Sequence, residues 1–412
     1  MRLPKISLVL GLAAASLLGQ QMAGSMAMPG ATLAPLQVLH DGSGTALEPA
    51  SVDEPMLMTE RWGWNFMLHG QAFLSLQEQT GPRGADKLFS TNWGMLMAQR
   101  PLGAGQLTLR SMISLEPATI TGREYPELFQ VGETAFGRAL VDGQHPHNFL
   151  MELGALYDLP IGEHGAVRVY AAPMGDPALG PMAYPHRASA SEDPLAPLGH
   201  HLEDSTHIAA NVVTVGAAYG WAHVEASTFH GREPDEHRWT LQTGRPDSYS
   251  ARLSFNPALN WSGQFSWGRL HSPEALNPSA DQIRMTSSLS YSGAGWDTTV
   301  LWGRTREAGG RNILNGYLAE AKYGWSGNHA WTRIENVDRA QELLGAAPPE
   351  QFLGRVQALS LGFDREVART DWGAAALGAQ WTLYRAPAQV VAAYGAHPEG
   401  VAVFLRVQLG RN

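Results

Sequence analysis

The chain has 412 residues, no cysteine and a formal net charge of −9 at pH 7. Without cysteine the chain forms no disulfide and no thiolate metal site, and it is not a lipoprotein anchored through a cysteine. The acidic balance argues against nucleic acid as a partner.

The first 27 residues have the features of a secretory signal. Arg2 and Lys5 form a basic start, residues 6–18 form a short apolar run, and small residues around Ala27 suit signal-peptidase cleavage. We therefore expect residues 1–27 to be a signal peptide for export through the Sec pathway. Residues 28–60 carry Pro, Gly and Ser without a clear period, which predicts a flexible periplasmic lead.

From Trp62 onward, short segments alternate between apolar and polar residues. Successive side chains of a strand point to opposite faces, so each segment has an apolar face and a more polar face. No run of about 18 apolar residues occurs after the signal, so the sequence predicts no membrane-spanning helix. The predicted strands are 62–77, 88–100, 105–116, 148–159, 165–173, 207–219, 221–230, 248–256, 259–270, 282–292, 295–305, 313–324, 328–336, 352–365, 370–385 and 400–410.

The connections between these segments differ in length on the two sides. Short turns such as Tyr219–Trp221 and Trp325–Gly327 alternate with long polar loops. The predicted long loops are 78–87, 117–147, 174–206, 231–247, 271–281, 306–312, 337–351 and 386–399. This asymmetry is typical of bacterial outer-membrane barrels, which have short periplasmic turns and long external loops.

The pattern over residues 62–410 resembles the porins of Gram-negative bacteria. We predict an all-β fold: a single transmembrane antiparallel barrel of about 16 strands, within a range of about 14 to 18. The resemblance implies an outer-membrane channel for small hydrophilic solutes or ions. It also implies contact with outer-membrane lipid and lipopolysaccharide, insertion by the barrel-assembly machinery, and assembly as a homotrimer.

Charged residues are candidates for the pore lining. Charge on a lipid face costs about 2–4 kcal/mol at mid-depth, so arginines of the inner parity should point into the lumen. If the loop 174–206 folds inward, its acids face these arginines and select solutes; the alternative is that the charges pair only to fill the lumen. The candidates are Arg110, Arg168, Arg252, Arg284, Arg406, Asp176, Glu192, Asp193, Glu203 and Asp204.

Histidines suggest a second function. The chain has 15 histidines, and 11 of them lie between His145 and His271, with groups in the neighbouring predicted loops 117–147 and 174–206. Imidazoles and carboxylates bind Zn, Ni or Cu(II), and Met174 and Met182 would suit Cu(I). The candidate ligands are His145, His147, His186, His200, His201 and His207. The alternative is that these histidines are hydrogen-bonding residues that hold long loops in place, with no cofactor.

An enzyme or an adhesion scaffold is a third class. Ser205 lies between Asp204 and His207, but a catalytic triad depends on spatial geometry rather than on adjacency in sequence. No G-x-S-x-G motif occurs. We therefore predict no catalytic residue and no enzymatic activity.

Overall fold

The computed structural model describes residues 42–345 and 351–410. The strands are β1 (Leu57–Arg61), β2 (Trp64–Gln79), β3 (Asp86–Leu102), β4 (Gly105–Ile113), β5 (Tyr125–Ala135), β6 (Arg138–Gln144), β7 (Leu150–Ile161), β8 (Gly165–Gly175), β9 (Ala209–Tyr219), β10 (Ala222–His230), β11 (Ser248–Ala258), β12 (Trp261–Leu270), β13 (Gln282–Gly293), β14 (Trp296–Glu307), β15 (Ile313–Trp325), β16 (Asn328–Ala340), β17 (Phe352–Thr370), β18 (Gly373–Arg385) and β19 (Glu399–Leu409).

All helices of the described residues are short. The α-helices are Glu116–Thr119, His200–Glu203 and Val391–Tyr394, and the 3-10 helices are Thr121–Arg123, Tyr184–His186, Ala188–Ala190, Ser205–His207, Gln341–Leu344 and Ala388–Val390. None of these helices is long and apolar enough to cross a membrane.

Within the described residues, 16 antiparallel strands form one closed barrel, which confirms the predicted fold class. The barrel closes where β19 pairs with β2, from Gly400 opposite Gln79 to Leu409 opposite Gly70. β1 folds back on the start of β2 and extends the sheet, while β5 and β6 form a separate hairpin. Closure matters because a sheet edge in hydrocarbon would leave backbone groups without hydrogen-bond partners.

Alternation decides which face of each strand points outward. In β12, Trp261 and Phe265 are exposed, whereas Ser262, Gln264 and Ser266 are buried in the lumen. The outer surface is therefore apolar and the inner wall polar, as the sequence pattern predicts.

Aromatic residues mark the end of the barrel that carries the short turns. The ring of Trp261 packs against that of Tyr291 with centroids 4.9 Å apart, and the ring centroids of Trp296 and Tyr323 lie 4.7 Å apart. Such rings have an apolar body and a polar edge, so they suit the boundary between lipid and water. The position of this belt supports the predicted orientation of the strands relative to a bilayer.

Connection lengths follow the predicted asymmetry. The short connections are 103–104, 162–164, 220–221, 259–260, 294–295, 326–327 and 371–372, and the long loops are 80–85, 114–149, 176–208, 231–247, 271–281, 308–312, 341–351 and 386–398. One predicted loop contains more structure than expected, because the β5–β6 hairpin lies within 114–149. This hairpin has irregular register and lacks a clean apolar and polar alternation.

The segment 42–55, which we call the inner segment, differs from the predicted flexible periplasmic lead. Its residues are mostly buried inside the barrel. Arg110 Nη1 donates to the carbonyl oxygen of Gly42 at 2.5 Å, and Arg252 Nη2 donates to Thr45 Oγ1 at 2.7 Å. The wall arginines thus hold this segment through backbone and hydroxyl acceptors. The rest of the predicted lead up to residue 41, and the predicted signal peptide, lie outside the described residues.

Candidate functional site in the barrel lumen

A long loop, residues 176–208, crosses the interior of the barrel, and we call it the lumen loop. Its backbone bonds to inward side chains on well-separated strands. The Ala178 amide donates to Ser227 Oγ at 2.8 Å on β10, and the Gly199 amide donates to Glu335 Oε1 at 3.0 Å on β16. Nearly all of the loop is buried. The prolines of the loop restrict its turns, which agrees with a packed rather than a loose conformation.

Buried ion pairs fix the lumen loop to the wall. Arg187 Nε lies 2.5 Å from Glu320 Oε1, and Arg333 Nη1 lies 2.9 Å from Asp193 Oδ2. Glu320 also lies 3.1 Å from Arg333, so one wall carboxylate joins both arginines. Sequence reasoning missed Arg333 and Glu320, although both lie at inward positions of their strands.

All five arginines predicted to line the pore point inward. Arg110 lies 3.0 Å from Glu152, and Arg252 lies 2.9 Å from Glu225. Each pair joins two neighbouring strands of the barrel. These two arginines also bind the inner segment, so they hold structure inside the lumen as well as carrying its charge.

The other three arginines have partners of different kinds. Arg168 lies 2.6 Å from Asp158 on the adjacent strand. Arg284 lies 2.6 Å from Glu233 in the loop 231–247. Arg406 contacts Asp364 on the wall at 2.8 Å and Glu192 of the lumen loop.

The five predicted acids all lie in the lumen loop. Glu192 lies 3.7 Å from Arg406 and 3.3 Å from Lys322. Burial alone would raise its pKa, but Lys322 and Arg406 lower the pKa of Glu192 to about 2. The Glu192 carboxylate is therefore ionised, and the positive charges of Lys322 and Arg406 on the barrel wall balance its negative charge.

The remaining acids respond to different surroundings. Burial raises the pKa of Asp176 to about 8 and holds the pKa of Glu203 well above its usual range. Burial opposes ionisation of Asp204 as well, but the neighbouring His200 and Arg187 lower its pKa to about 2. For Asp193, burial outweighs Arg333 and raises the pKa. The acids consequently do not act as one uniformly charged row.

Among the cavities that the described residues enclose, two lie toward opposite ends of the barrel. One, of about 440 Å³, is lined by Glu192, Lys322 and Arg406 and adjoins the short-turn end. The other, of about 310 Å³, is lined by Glu233 and Arg284 and adjoins the long-loop end. Each cavity therefore contains both positive and negative side chains.

Five of the six histidines predicted as ligands form one cluster. His145, His200 and His201 each offer a nitrogen, and the three nitrogens lie within 4.8 Å of one another. His207 extends the cluster, with its ring centroid 5.3 Å from that of His200, and the centroid of His147 lies 5.4 Å from that of His207. The structure thus brings together residues from the loop 114–149 and the lumen loop.

Oxygen acceptors orient three of these rings. His147 Nδ1 lies 3.0 Å from Glu116 Oε2, His207 Nδ1 lies 2.7 Å from the Asp204 carbonyl oxygen, and His200 Nδ1 bonds to the Asp204 carboxylate. A hydrogen bond at one ring nitrogen fixes the tautomer and leaves the other nitrogen as a lone-pair donor. Nε2 of His147 and Nε2 of His207 have no hydrogen-bond partner among the described residues, so their lone pairs are available to a metal ion.

The cluster favours neutral imidazoles. Burial lowers the pKa of His207 to about 3 and, with the neighbouring His200, places the pKa of His201 well below its usual range. Burial also lowers the pKa of His145. The neutral form is the one that ligates metals.

His186, the sixth predicted ligand, lies apart from the close group. Its Nε2 lies 2.9 Å from Met112 Sδ, and its ring packs 4.2 Å from that of Trp93. Met174 and Met182, which the sequence suggested as Cu(I) ligands, lie in different surroundings. Met174 joins a cluster of inward methionines, whereas Met182 lies against Gly42. Sequence reasoning missed this cluster, although its members share the inward parity.

Ser205 has contacts unlike those of a catalytic nucleophile. Arg284 Nη1 donates to Ser205 Oγ at 2.7 Å, and Ser205 Oγ donates to the His201 carbonyl oxygen. His207 directs Nδ1 at the Asp204 backbone, so the three residues do not form a relay.

Comparison with solved structures finds the same barrel architecture in outer-membrane porins. The chain is similar to the anion-selective porin from Comamonas acidovorans, with a TM-score of 0.55, 12% identity, and coverage of 84% of this chain and 99% of that one. It is also similar to Salmonella typhi OmpF in complex with daunomycin, with a TM-score of 0.53, 11% identity, and coverage of 85% and 100%. Pseudomonas putida OprB in its high-pH structure gives a TM-score of 0.50 at 10% identity, with coverage of 85% and 94%.

No protein-family profile matches the chain, and no curated protein sequence matches it. The fold is that of an outer-membrane porin-type barrel, as the sequence resemblance implied.

Proposed function

We propose that the protein is a porin-type channel in the outer membrane of a Gram-negative bacterium, which admits small hydrophilic solutes or ions. The observation that carries this proposal is the closed barrel whose polar lumen is crossed by a loop tied to the wall through ion pairs. A barrel of about 16 strands is wide enough to enclose an aqueous channel. A loop inserted into the barrel then determines the width of that channel.

The lumen loop and the inner segment together define the narrowing. Solutes would pass charges of the wall and of the lumen loop that are already paired with each other, such as Arg333 with Asp193. Paired charges create local fields of both signs and little net attraction, which favours small polar solutes over strongly charged ones. The route would connect the two cavities, which differ in lining and lie at opposite ends of the barrel.

The cellular setting belongs to the same proposal. The apolar outer face would contact outer-membrane lipid and, at the long-loop end, lipopolysaccharide. Export through the Sec pathway and insertion by the barrel-assembly machinery would deliver the chain. A homotrimer is the assembly we propose, and cross-linking of the purified protein tests it.

We further propose that the protein is not an enzyme. This rests on the contacts of Ser205, which bonds to Arg284 and to a backbone carbonyl rather than to an imidazole. An esterase assay of wild type against Ser205→Ala tests this part. Activity that the substitution abolishes would overturn it.

Liposome swelling tests the channel directly. Vesicles containing the folded protein are diluted into isotonic solutions of neutral sugars of increasing size. We expect swelling with the smallest sugars and a sharp fall as size increases, because the lumen loop narrows the bore. Swelling no faster than protein-free vesicles for every solute would refute diffusion through the barrel.

A further inference from the structure

The histidine cluster is the strongest feature of the lumen that solute diffusion does not use. Its donors come from two separate parts of the chain: His145 follows β6, and His200 and His201 lie on the short helix of the lumen loop. Their nitrogens lie within 4.8 Å of one another. Two nitrogens bound tetrahedrally to one zinc-sized ion at about 2.0–2.1 Å lie about 3.4 Å apart, so only a small inward shift is needed.

Unsatisfied nitrogens nearby point to a ligand. In the described part of the chain, Nε2 of His147 and Nε2 of His207 are buried and have no hydrogen-bond partner. Histidines that only hold loops in place would bond through both nitrogens, since a buried polar atom without a partner is costly. Here the Nδ1 atoms are satisfied, and the Nε2 atoms are not.

The surroundings resemble those of metal-binding histidines. The carboxylate of Asp204 orients His200, and Glu116 orients His147. Glu133 places a carboxylate oxygen 3.0 Å from His145 Nε2. Carboxylates behind imidazoles fix the ring orientation and raise ligand basicity, and they also offset the charge of a divalent cation.

We propose that His145, His200 and His201 bind one divalent transition-metal ion, with His147 and His207 as adjoining donors. An imidazole set favours Cu(II), Zn or Ni, and Cu(II) binds most tightly by the Irving–Williams order. The ion would join the loop 114–149 to the lumen loop. The site does not depend on whether the barrel conducts solutes.

Metal titration of the full chain in detergent tests this site. Protein stripped with a chelator is titrated with Cu(II), Zn(II) and Ni(II) by calorimetry, and bound Cu(II) is examined by electron paramagnetic resonance. We expect one tight ion with splitting from imidazole nitrogens. The double variant His200→Ala and His201→Ala should bind at least about 100-fold more weakly.

A control variant, a folding check and a milder variant accompany the titration. His164→Ala removes a histidine from the short turn 162–164 and should bind as wild type does. A gel shift on heating shows that each variant is a folded barrel, and His145→Gln provides a milder test if the double variant does not fold. Equal affinity in the folded double variant, or no binding by folded wild type, would overturn the site. Liposome swelling measures solute diffusion and the titration measures metal binding. The absence of one activity therefore leaves the result for the other unaffected.

A second observation is independent of the histidines. Six buried methionines lie on neighbouring strands of the inner wall, and we call them the methionine cluster: Met67, Met95, Met97, Met112, Met151 and Met174. Met67 is directly opposite Met97, and Met95 is directly opposite Met112 in the strand register. Directly opposed side chains have Cβ atoms about 4.5–5.5 Å apart, so the thioethers lie side by side.

Polar groups adjoin these thioethers. His186 Nε2 lies 2.9 Å from Met112 Sδ. Nε2 of His69 is buried without a hydrogen-bond partner among the described residues, and both histidines line the 440 Å³ cavity. The methionine cluster is therefore next to a space that a solute at the short-turn end reaches.

We infer that the methionine cluster, with His186, binds a soft monovalent cation of the Cu(I) or Ag(I) kind. Thioethers are soft ligands that suit such ions, whereas hard ions such as Mg and Ca prefer oxygen ligands. Apolar packing alone also accepts methionine, and replacement by leucine separates the two roles, because leucine keeps the volume and removes the sulfur.

Silver titration tests the cluster. Ag(I) is added to wild type and to the double variant Met95→Leu and Met112→Leu, with Met285→Leu as a control from the outward parity of β13. We expect the double variant to bind at least about 10-fold more weakly and the control to match wild type. Equal silver binding by the folded double variant would overturn the inference. Cu(II) binding at the histidines should be unchanged in both variants.

Discussion

Glu192 of the lumen loop lies 3.7 Å from the guanidinium of Arg406 on the strand that closes the barrel. Arg406 in turn lies 2.8 Å from Asp364 on β17. The loop that narrows the lumen is thus tied to the last strand, whose pairing with β2 completes the sheet. Loop position and barrel closure are coupled through one buried arginine.

Neutralising Glu192 should weaken this coupling. In Glu192→Gln, Arg406 and Lys322 lose a buried anionic partner, and we expect a loss of about 3 kcal/mol of stability. On gels of samples heated to increasing temperatures, the Glu192→Gln barrel should unfold at a lower temperature than the wild-type barrel. Arg269→Gln, which breaks an exposed pair with Asp281, should leave that temperature unchanged. Equal effects of the two substitutions would contradict the role of burial.

Removing the inner segment should widen the channel. Deletion of residues 42–55 removes chain that Arg110 and Arg252 hold inside the lumen. We expect single-channel conductance to rise by about twofold or more, because conductance follows the open cross-section. A deletion protein that folds and conducts as wild type does would show that the segment does not narrow the path.

Raising the pH should loosen the inner segment. Burial, with Glu54 and Asp297, raises the pKa of Glu48 to about 8. In the folded protein this carboxyl stays protonated up to about pH 8, whereas in the unfolded chain it ionises near its ordinary pKa of 4.5. The stability that Glu48 contributes therefore falls as pH rises through this range and levels off above about 8.

Thiol labelling measures this effect. The chain has no cysteine, so Ala46→Cys places one reporter at a buried position. Between pH 6 and pH 9 we expect the labelling rate to rise more with Glu48 present than with Glu48→Gln. The ratio of the two rates removes the pH dependence of the thiol itself. A constant ratio would contradict the prediction.

A methyl group at Gly132 should disturb the histidine cluster. Gly132 has φ 136°, and a Cβ there would lie 2.3 Å from His201 Cγ. Gly132→Ala should therefore shift the imidazole and weaken Cu(II) binding by about 10-fold. Gly137→Ala is the matched control, because it lies on the same hairpin with positive φ and no heavy atom within 4 Å. Calorimetry compares the two.

Charge on the outer face should block assembly. Val215 is 53% exposed on β9, at a position where a barrel in a membrane meets lipid. Val215→Arg should cost about 2–4 kcal/mol at mid-depth and reduce the heat-modifiable band in membranes. Val215→Leu should assemble normally. Normal assembly of the arginine variant would show that this face is not in hydrocarbon.

Strand periodicity predicted the barrel because lumen and lipid impose opposite preferences on alternate residues. The predicted strand 165–173 corresponds to β8 at Gly165–Gly175, and 148–159 corresponds to β7 at Leu150–Ile161. The inward arginines followed from the same rule. Elements that do not alternate, such as the β5–β6 hairpin, gave no comparable signal.

The contents of the lumen were predictable only in part. The lumen loop was found from its length, prolines and acids, but the inner segment binds through backbone carbonyls, which every residue has. The histidines could be grouped by loop, yet their convergence depends on how two loops fold together. The methionine cluster had an available signal, since its members share inward parity on neighbouring strands.

Recording in planar lipid bilayers shows whether a water-filled path runs through the barrel. Purified, heat-modifiable wild type added to one side of the bilayer should produce stepwise increases in conductance, with larger steps after deletion of residues 42–55. A folded protein that inserts into the bilayer and gives no conductance steps, with or without the inner segment, would contradict a water-filled path through this barrel.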